Sequence, residues 1–322
     1  FGIGRNLLPV QCLECKVHCG GGSLSLFACN ADGAAQKIDQ LLGDRHSETG
    51  ALDPACRRVS FAGERFVFLA DSANMSYGVY PSEGRTDYLR DLVKNDARFV
   101  LGDRYYRDAS EPEPTDVKPR AKIVVIACNT ATAYGLDDVR QISVVGVINA
   151  GSKAAIDAVR GGGACAIGVL ATRGTISSGA YERTIREELR GRGAAVPVEV
   201  VSRGGIGLAE AVENREPGVE ACARTNLVAL VEDYRVRGGH APIRALILGC
   251  THYPFVLDVF KATLDALRLD PRYAPLLPEN LVFIDPAVYT AIACHRQLSQ
   301  DRLLKPADAP RAARRVAAFI SV

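Results

Sequence analysis

One stretch of this sequence occurs twice in altered form. Ile123-Val124-Val125-Ile126-Ala127-Cys128-Asn129-Thr130 and Ala245-Leu246-Ile247-Leu248-Gly249-Cys250-Thr251-His252 each run through four apolar residues, a small residue and a cysteine into polar residues. A short continuous apolar run of this kind reads as a strand buried on both faces, and the polar residues after it open a helix. Around both copies the pattern alternates. Strands are predicted over 24–28, 65–70, 122–127, 144–148, 166–170, 197–201, 245–248 and 282–284, with helices over 34–42, 86–96 and between most later strands. Such alternation implies an α/β chain whose parallel sheets are covered by helices. Two related halves with facing strand ends would set Cys128 and Cys250 on opposite walls of one cleft.

Outside this pattern, residues 1–22 show no sustained period and read as an N-terminal extension. Residues 108–120, with three prolines and four acidic residues, read as a loop. At 322 residues and 48% hydrophobic content, the chain is long enough for one large or two ordinary domains. Its formal charge is +2, which gives no global field to favour nucleic acid or an acidic membrane. Charged residues, glycine or proline punctuate every hydrophobic run before it could span a bilayer. Ten cysteines, several inside apolar runs, suit reduced thiols and a cytoplasmic setting better than a disulfide scaffold. The chain opens at Phe1 rather than Met, so a segment removed or left out upstream is expected.

A residue just past the carboxyl end of a parallel strand meets exposed backbone N–H groups and the positive end of a helix dipole. Both thiols are therefore biased toward thiolate. The same N–H groups, with Asn129, Thr130 and Thr251, can hold the carboxylate of an amino acid. Racemisation needs a base on one face of an α-carbon and an acid on the other, and two facing cysteines meet that need. A tightly hydrogen-bonded carboxylate accepts charge as the proton leaves, so no cofactor and no metal are called for. His252, two residues past Cys250, can tune that thiol or donate to the substrate.

Other features read more plainly. Cys12, Cys15, His18 and Cys19 have zinc-ligand spacing but lack a second knuckle, and incidental cysteines in an extension are the ordinary reading. Gly161 to Gly163 and Gly204 to Gly207 read as turns, since neither has a phosphate-loop lysine or a full dinucleotide fingerprint. His240 and His295 read as surface or packing residues. The basic run Arg311 to Arg315 reads as one face of a C-terminal helix.

The segments Ala127-Cys128-Asn129-Thr130-Ala131 and Leu248-Gly249-Cys250-Thr251-His252-Tyr253-Pro254 resemble the two hallmark segments of the glutamate racemase family. Residues Ile167 to Tyr181 are similar to that family's strand-and-threonine element, and Asp71 to Gly78 to its segment ending in Pro-Tyr-Gly, with Ser76 in place of the proline. The resemblance covers about residues 24–287. It implies two doubly wound parallel-sheet domains in pseudo-symmetric arrangement, with the active site in the cleft between them and a C-terminal helix returning to the first. The first domain would hold 23–146 and 287–322, the second 147–286. It further implies that Thr172, Thr175, Ser72, Tyr77 and Gly78 line the substrate site, and that Glu213 stands near His252. The family works without metal or pyridoxal phosphate and supplies D-glutamate for peptidoglycan. The expected partner is a small amino-acid substrate, with neither nucleic acid nor membrane, and with a homodimer left open.

The chain departs from the family pattern after its first strand. Where the family has Asp-Ser-Gly, this chain has Ala28-Cys29-Asn30-Ala31-Asp32-Gly33, so that Asp32, Asn30 or Cys29 would have to replace the acidic helper and the serine. Two alternatives to glutamate racemisation stay open at this point. One is racemisation of aspartate, a hydantoin or another acid with an activated C–H. The other is a cleft that binds an amino acid without turnover.

Overall fold

The computed structural model describes residues 10–13, 23–28, 61, 64–74, 76–106, 110–114, 116–193, 197–306 and 316–321. The helix expected over 34–42, Asp32 with the rest of its loop, Cys15, His18, Cys19 and the basic run 311–315 lie outside them. The chain divides into two compact units, Phe1–Gly146 with Thr290–Val322, and Val147–Tyr289.

The first unit contains β1 (Val10–Leu13), β2 (Ser23–Ala28), β3 (Arg65–Ala70), α1 (Thr86–Leu101), β4 (Arg104–Tyr105), β5 (Asp116–Val117), β6 (Val124–Ile126), α2 (Asn129–Gly135) and β7 (Val144–Gly146). The second contains α3 (Val147–Val159), β8 (Cys165–Thr172), α4 (Arg173–Ser177), α5 (Ala180–Gly191), β9 (Val198–Gly205), α6 (Leu208–Glu213), α7 (Val219–Val236), β10 (Ile243–Gly249), α8 (Leu257–Arg268) and β11 (Val282–Ile284). Helix α9 (Pro286–Gln300) runs from the second unit into the first, where β12 (Val316–Ser321) completes the sheet.

The first sheet has the order β1-β12-β3-β2-β6-β7, and the second β11-β10-β8-β9. All pairings are parallel except β1 on β12. Leaving out β1, β12 and the small β4–β5 hairpin, each half begins with a strand flanked by the second and third, and the fourth lies beyond the third. The internal repeat of the sequence is thus a repeat of topology, with β6 and β10 as equivalent third strands.

Side chains alternate across the first sheet as the strand period requires. Phe66, Phe68, Ala70, Ile123 and Val125 face one layer with Phe61 and with Cys294 and Leu298 of α9. Val67, Leu69, Val124 and Ile126 face the other, against Leu89, Leu92, Val93 and Val100 of α1. These α1 residues recur every three to four positions, the stripe that buries one helix face. In the second unit β8 and β10 are almost wholly buried, with Leu227, Leu230, Phe260 and Leu264 of α7 and α8 in the same core. Helix α3 packs on β10 and α5. Full burial of each such aliphatic side chain contributes about 1.5–3 kcal/mol. Glu64, fully buried, is held by Lys122 Nζ at 2.7 Å and by the backbone N–H of Lys305 at 2.8 Å, which ties the segment after α9 to the first sheet.

Several sequence expectations change here. Val10–Leu13, read as part of an extension, is an edge strand on β12; four residues are too few for a period to register. The stretch 144–148 is a strand only to Gly146, because Val147 and Ile148 open α3 and are buried as helix residues. Within the expected loop 108–120, Asp116–Val117 pairs with β4. Gly204 and Gly205 finish β9 rather than forming a turn: a Cβ on Gly205 would lie 2.2 Å from the Tyr253 hydroxyl oxygen, so only glycine lets the ring pass beneath. Val316–Ser321 forms the strand β12, so a C-terminal helix does not extend over these residues. Among the described residues no helix is long and apolar enough to cross a membrane.

Candidate functional site

The carboxyl ends of parallel strands gather the polar residues in both units. In the second, β8 and β10 are neighbours with Ala171 opposite Gly249, so Thr172 and Cys250 emerge side by side. Thr172 caps α4, its hydroxyl accepting from the Thr175 backbone N–H at 3.3 Å and lying 2.9 Å from the Thr175 hydroxyl. Cys250 does not open a helix directly. A turn and a short 3-10 segment, Tyr253–Val256, come first, with Pro254 inside that segment's first turn, where its missing N–H costs nothing. The turn lets His252 fold back on the thiol.

The Cys250 sulfur lies 3.4 Å from His252 Nδ1, and His252 Nε2 lies 2.6 Å from Glu213 Oε2 at the end of α6. The Thr251 hydroxyl is 3.5 Å from the same Nδ1. Burial pulls the His252 pKa down, but hydrogen bonding and charge from Cys250 and Glu213 outweigh it, and the net shift is upward. A protonated ring donates from both nitrogens, to a Cys250 thiolate on one side and to Glu213 on the other. Tyr181 and Tyr253 sit buried near the thiol and stay neutral, burial being the main cause.

In the first unit Cys128 is the N-cap of α2, its sulfur accepting from the Ala131 N–H at 3.4 Å. Asn129 and Thr130 follow, both buried. Beyond the end of β3, Asp71 accepts from Asn74 Nδ2 at 2.8 and 3.0 Å, from the Tyr77 hydroxyl at 2.6 Å and from the Ser321 hydroxyl at 2.6 Å. The Tyr77 oxygen also lies 2.9 Å from Asp96 Oδ2 on α1. Burial first, then the Asp71 charge, raises the Asp96 carboxyl well above the ordinary range, against the lowering effect of Tyr77; the charge of Cys128 adds to the rise. By contrast, Cys294 is an inert thiol, pushed up to about 12 by burial, and burial also raises Cys165.

The family profile described as Asp/Glu/Hydantoin racemase matches residues 113–274. A glutamate racemase of Stutzerimonas stutzeri is 30% identical over 250 residues, 76% of each chain. The chain belongs to the Asp/Glu/hydantoin racemase family. A glutamate racemase of Enterococcus faecalis is 31% identical over 201 residues, covering 62% of this chain and 61% of that one. Among solved structures, a glutamate racemase isoform from Bacillus anthracis superposes with a TM-score of 0.61 at 24% identity, over 91% of this chain and 86% of that one. The Thermus thermophilus glutamate racemase in complex with β-chloro-D-alanine gives 0.58 at 24% identity, over 94% and 88%. The two-sheet α/β architecture is thus the racemase fold.

Within this racemase, His252 touches Cys250 on one side and Glu213 on the other, and Thr251, Thr172 and Thr175 share their end of the sheet. Cys128, Asn129 and Thr130 lie together at the start of α2. Ser72 sits in the 3-10 turn Ser72–Asn74 just after β3. Tyr77, expected to face substrate, has its phenol held by two carboxylates, while Gly78 follows at a half-exposed position. Neither Asp71 nor Asp96 was singled out from the sequence. Asp96 had a signal: it stands on the apolar stripe of α1, four residues after Leu92 and four before Val100. His295 packs edge-on against Phe61 at 5.6 Å between ring centres, as a packing residue would, and His240 is exposed. Among the described residues no group of three or more His, Cys, Asp or Glu side chains could hold a metal ion.

Proposed function

We propose that this racemase interconverts L- and D-glutamate without a cofactor, Cys128 and Cys250 each taking the α-proton of one enantiomer while the other returns a proton to the opposite face. The observation that carries this reading is the pair of thiols after equivalent third strands, one capping a helix and one bonded to His252. The N–H groups at the start of α2, with Asn129, Thr130, Thr251, Thr172 and Thr175, suit the substrate's carboxylates. His252, backed by Glu213, stabilises the Cys250 thiolate or re-protonates it. Glutamate is favoured because the curated relatives described above bear that name, and the Thr251-His252-Tyr253-Pro254 segment resembles that branch. Supply of D-glutamate for peptidoglycan follows from the same reading, and thiols that must stay reduced agree with a cytoplasmic setting.

The test is incubation with L-glutamate and with D-glutamate in deuterated water, following α-proton loss by NMR and optical activity by circular dichroism. Exchange and interconversion of both enantiomers, lost in Cys128→Ala and in Cys250→Ala, are expected. Exchange of neither enantiomer would rule out glutamate as substrate.

A further inference from the structure

Asp96 stands on the apolar stripe of α1 in a half-buried position, where an ionised carboxylate needs a partner. The groups facing it are Asp71 and Tyr77 from the segment after β3, and Cys128, whose charge reaches it from the start of α2. The Tyr77 oxygen lies 2.6 Å from Asp71 Oδ2 and 2.9 Å from Asp96 Oδ2. A phenol has one proton to give. With both carboxylates ionised, one of the two contacts would press an anionic oxygen against a lone pair of the phenol, with no proton between them. A second proton must therefore lie on one carboxyl.

Asp71 is the anion of the two. Asn74 Nδ2, whose amide oxygen is held by the Tyr88 hydroxyl at 2.9 Å, donates to both its oxygens, and the Ser321 hydroxyl, which accepts from the Ala73 N–H at 3.0 Å, donates to Oδ1. Among the described residues the partners of Asp71 are thus donors, an arrangement that fits an acceptor-only carboxylate. Asp96 is left to hold the proton.

We propose that Asp96 is protonated at neutral pH and donates to the Tyr77 oxygen, so that a hydrogen-bond chain runs from Asp96 through Tyr77 to Asp71 and a neutral carboxyl stands near Cys128. Asp96 is then a positioning residue, holding the phenol and sparing the thiol a negative neighbour that would oppose its ionisation. The upward displacement of its titration agrees. The significance for turnover rests on the role proposed for Cys128, but the protonation state does not.

Infrared difference spectra at neutral pH between the protein and its Asp96→Asn variant are expected to show the carbonyl band of a protonated carboxyl in the former only. That readout needs no substrate, so it stands or falls apart from racemase activity. Alkylation of Cys128 by iodoacetamide, followed by peptide mass across pH, gives the second readout. Its midpoint should move by less than roughly 0.3 pH unit in Asp96→Asn, because a carboxyl that stays neutral while the thiol titrates already spares it a negative neighbour. Asparagine keeps a donor for Tyr77, and a thermal melt checks that the variant is folded. A missing carboxyl band, or one that survives the substitution, overturns the assignment, and so does a Cys128 midpoint that falls by roughly half a pH unit or more, since only an ionised Asp96 could have been holding it up.

Discussion

The two halves repeat one strand order and part company where the cysteines are treated. Cys128 caps α2 directly and borrows an N–H of that helix, with a carboxyl-phenol-carboxylate network close by. Cys250 is followed by a turn and a 3-10 segment, and that detour brings His252 onto the thiol, with Glu213 behind the ring. A repeated fold thus sets where a reactive group emerges, while the few residues after the strand set how its proton is managed. One half uses a helix end, the other a side-chain relay.

If both thiols are needed, Cys128→Ala and Cys250→Ala should each lower racemisation about a thousandfold or more, measured by circular dichroism from either enantiomer. A large loss in one and a small loss in the other would break the symmetry of roles. Next in size is the core beneath them. Ile126 and Leu248 occupy equivalent positions two residues before the cysteines, both buried. Alanine at either should cost about 2–5 kcal/mol in equilibrium urea unfolding. A markedly smaller loss at one would mean that the two sheets are not packed alike.

A smaller effect separates the halves. His252→Gln should slow turnover roughly ten- to a hundredfold, less than loss of the thiol, with kcat/KM falling equally from either enantiomer because the equilibrium constant of a racemisation is one. A rise in KM with kcat unmoved would assign His252 to substrate binding instead. The smallest effect is on stability against pH. The folded pKa of His252 is raised, so the stability its bonds contribute is fully present below its unfolded pKa of about 6.5 and is lost as pH rises through the folded value. The melting-temperature difference between the protein and His252→Gln should therefore shrink from pH 6 to higher pH, and a widening difference would reverse the assigned shift.

How much of this was legible depended on length and period. The apolar runs before Cys128 and Cys250 are long enough to announce buried strands, and the polar residues after them announce a site. β1 and β12 escaped because each is short and its meaning lies in a partner at the other end of the chain. The His252–Glu213 contact spans 39 positions and came only through the family resemblance. Asp96 breaks an apolar stripe, a local signal, yet its partners Asp71 and Tyr77 come from a different segment. Sequence periodicity reports which face a residue occupies, but not who waits there.

The place of β12 in the first sheet has a consequence for biosynthesis. It is the last of the described strands in chain order, yet it lies between β1, the earliest described strand, and β3. The whole second unit is made before that gap can be filled. At roughly 5–20 residues per second, the nascent first unit carries an unfinished sheet edge for on the order of ten seconds or longer. During that interval β3 offers an open pairing surface, and Ser321, which anchors Asp71 beside the candidate site, does not yet exist. The acid network near Cys128 is therefore assembled only after the whole second unit has been made.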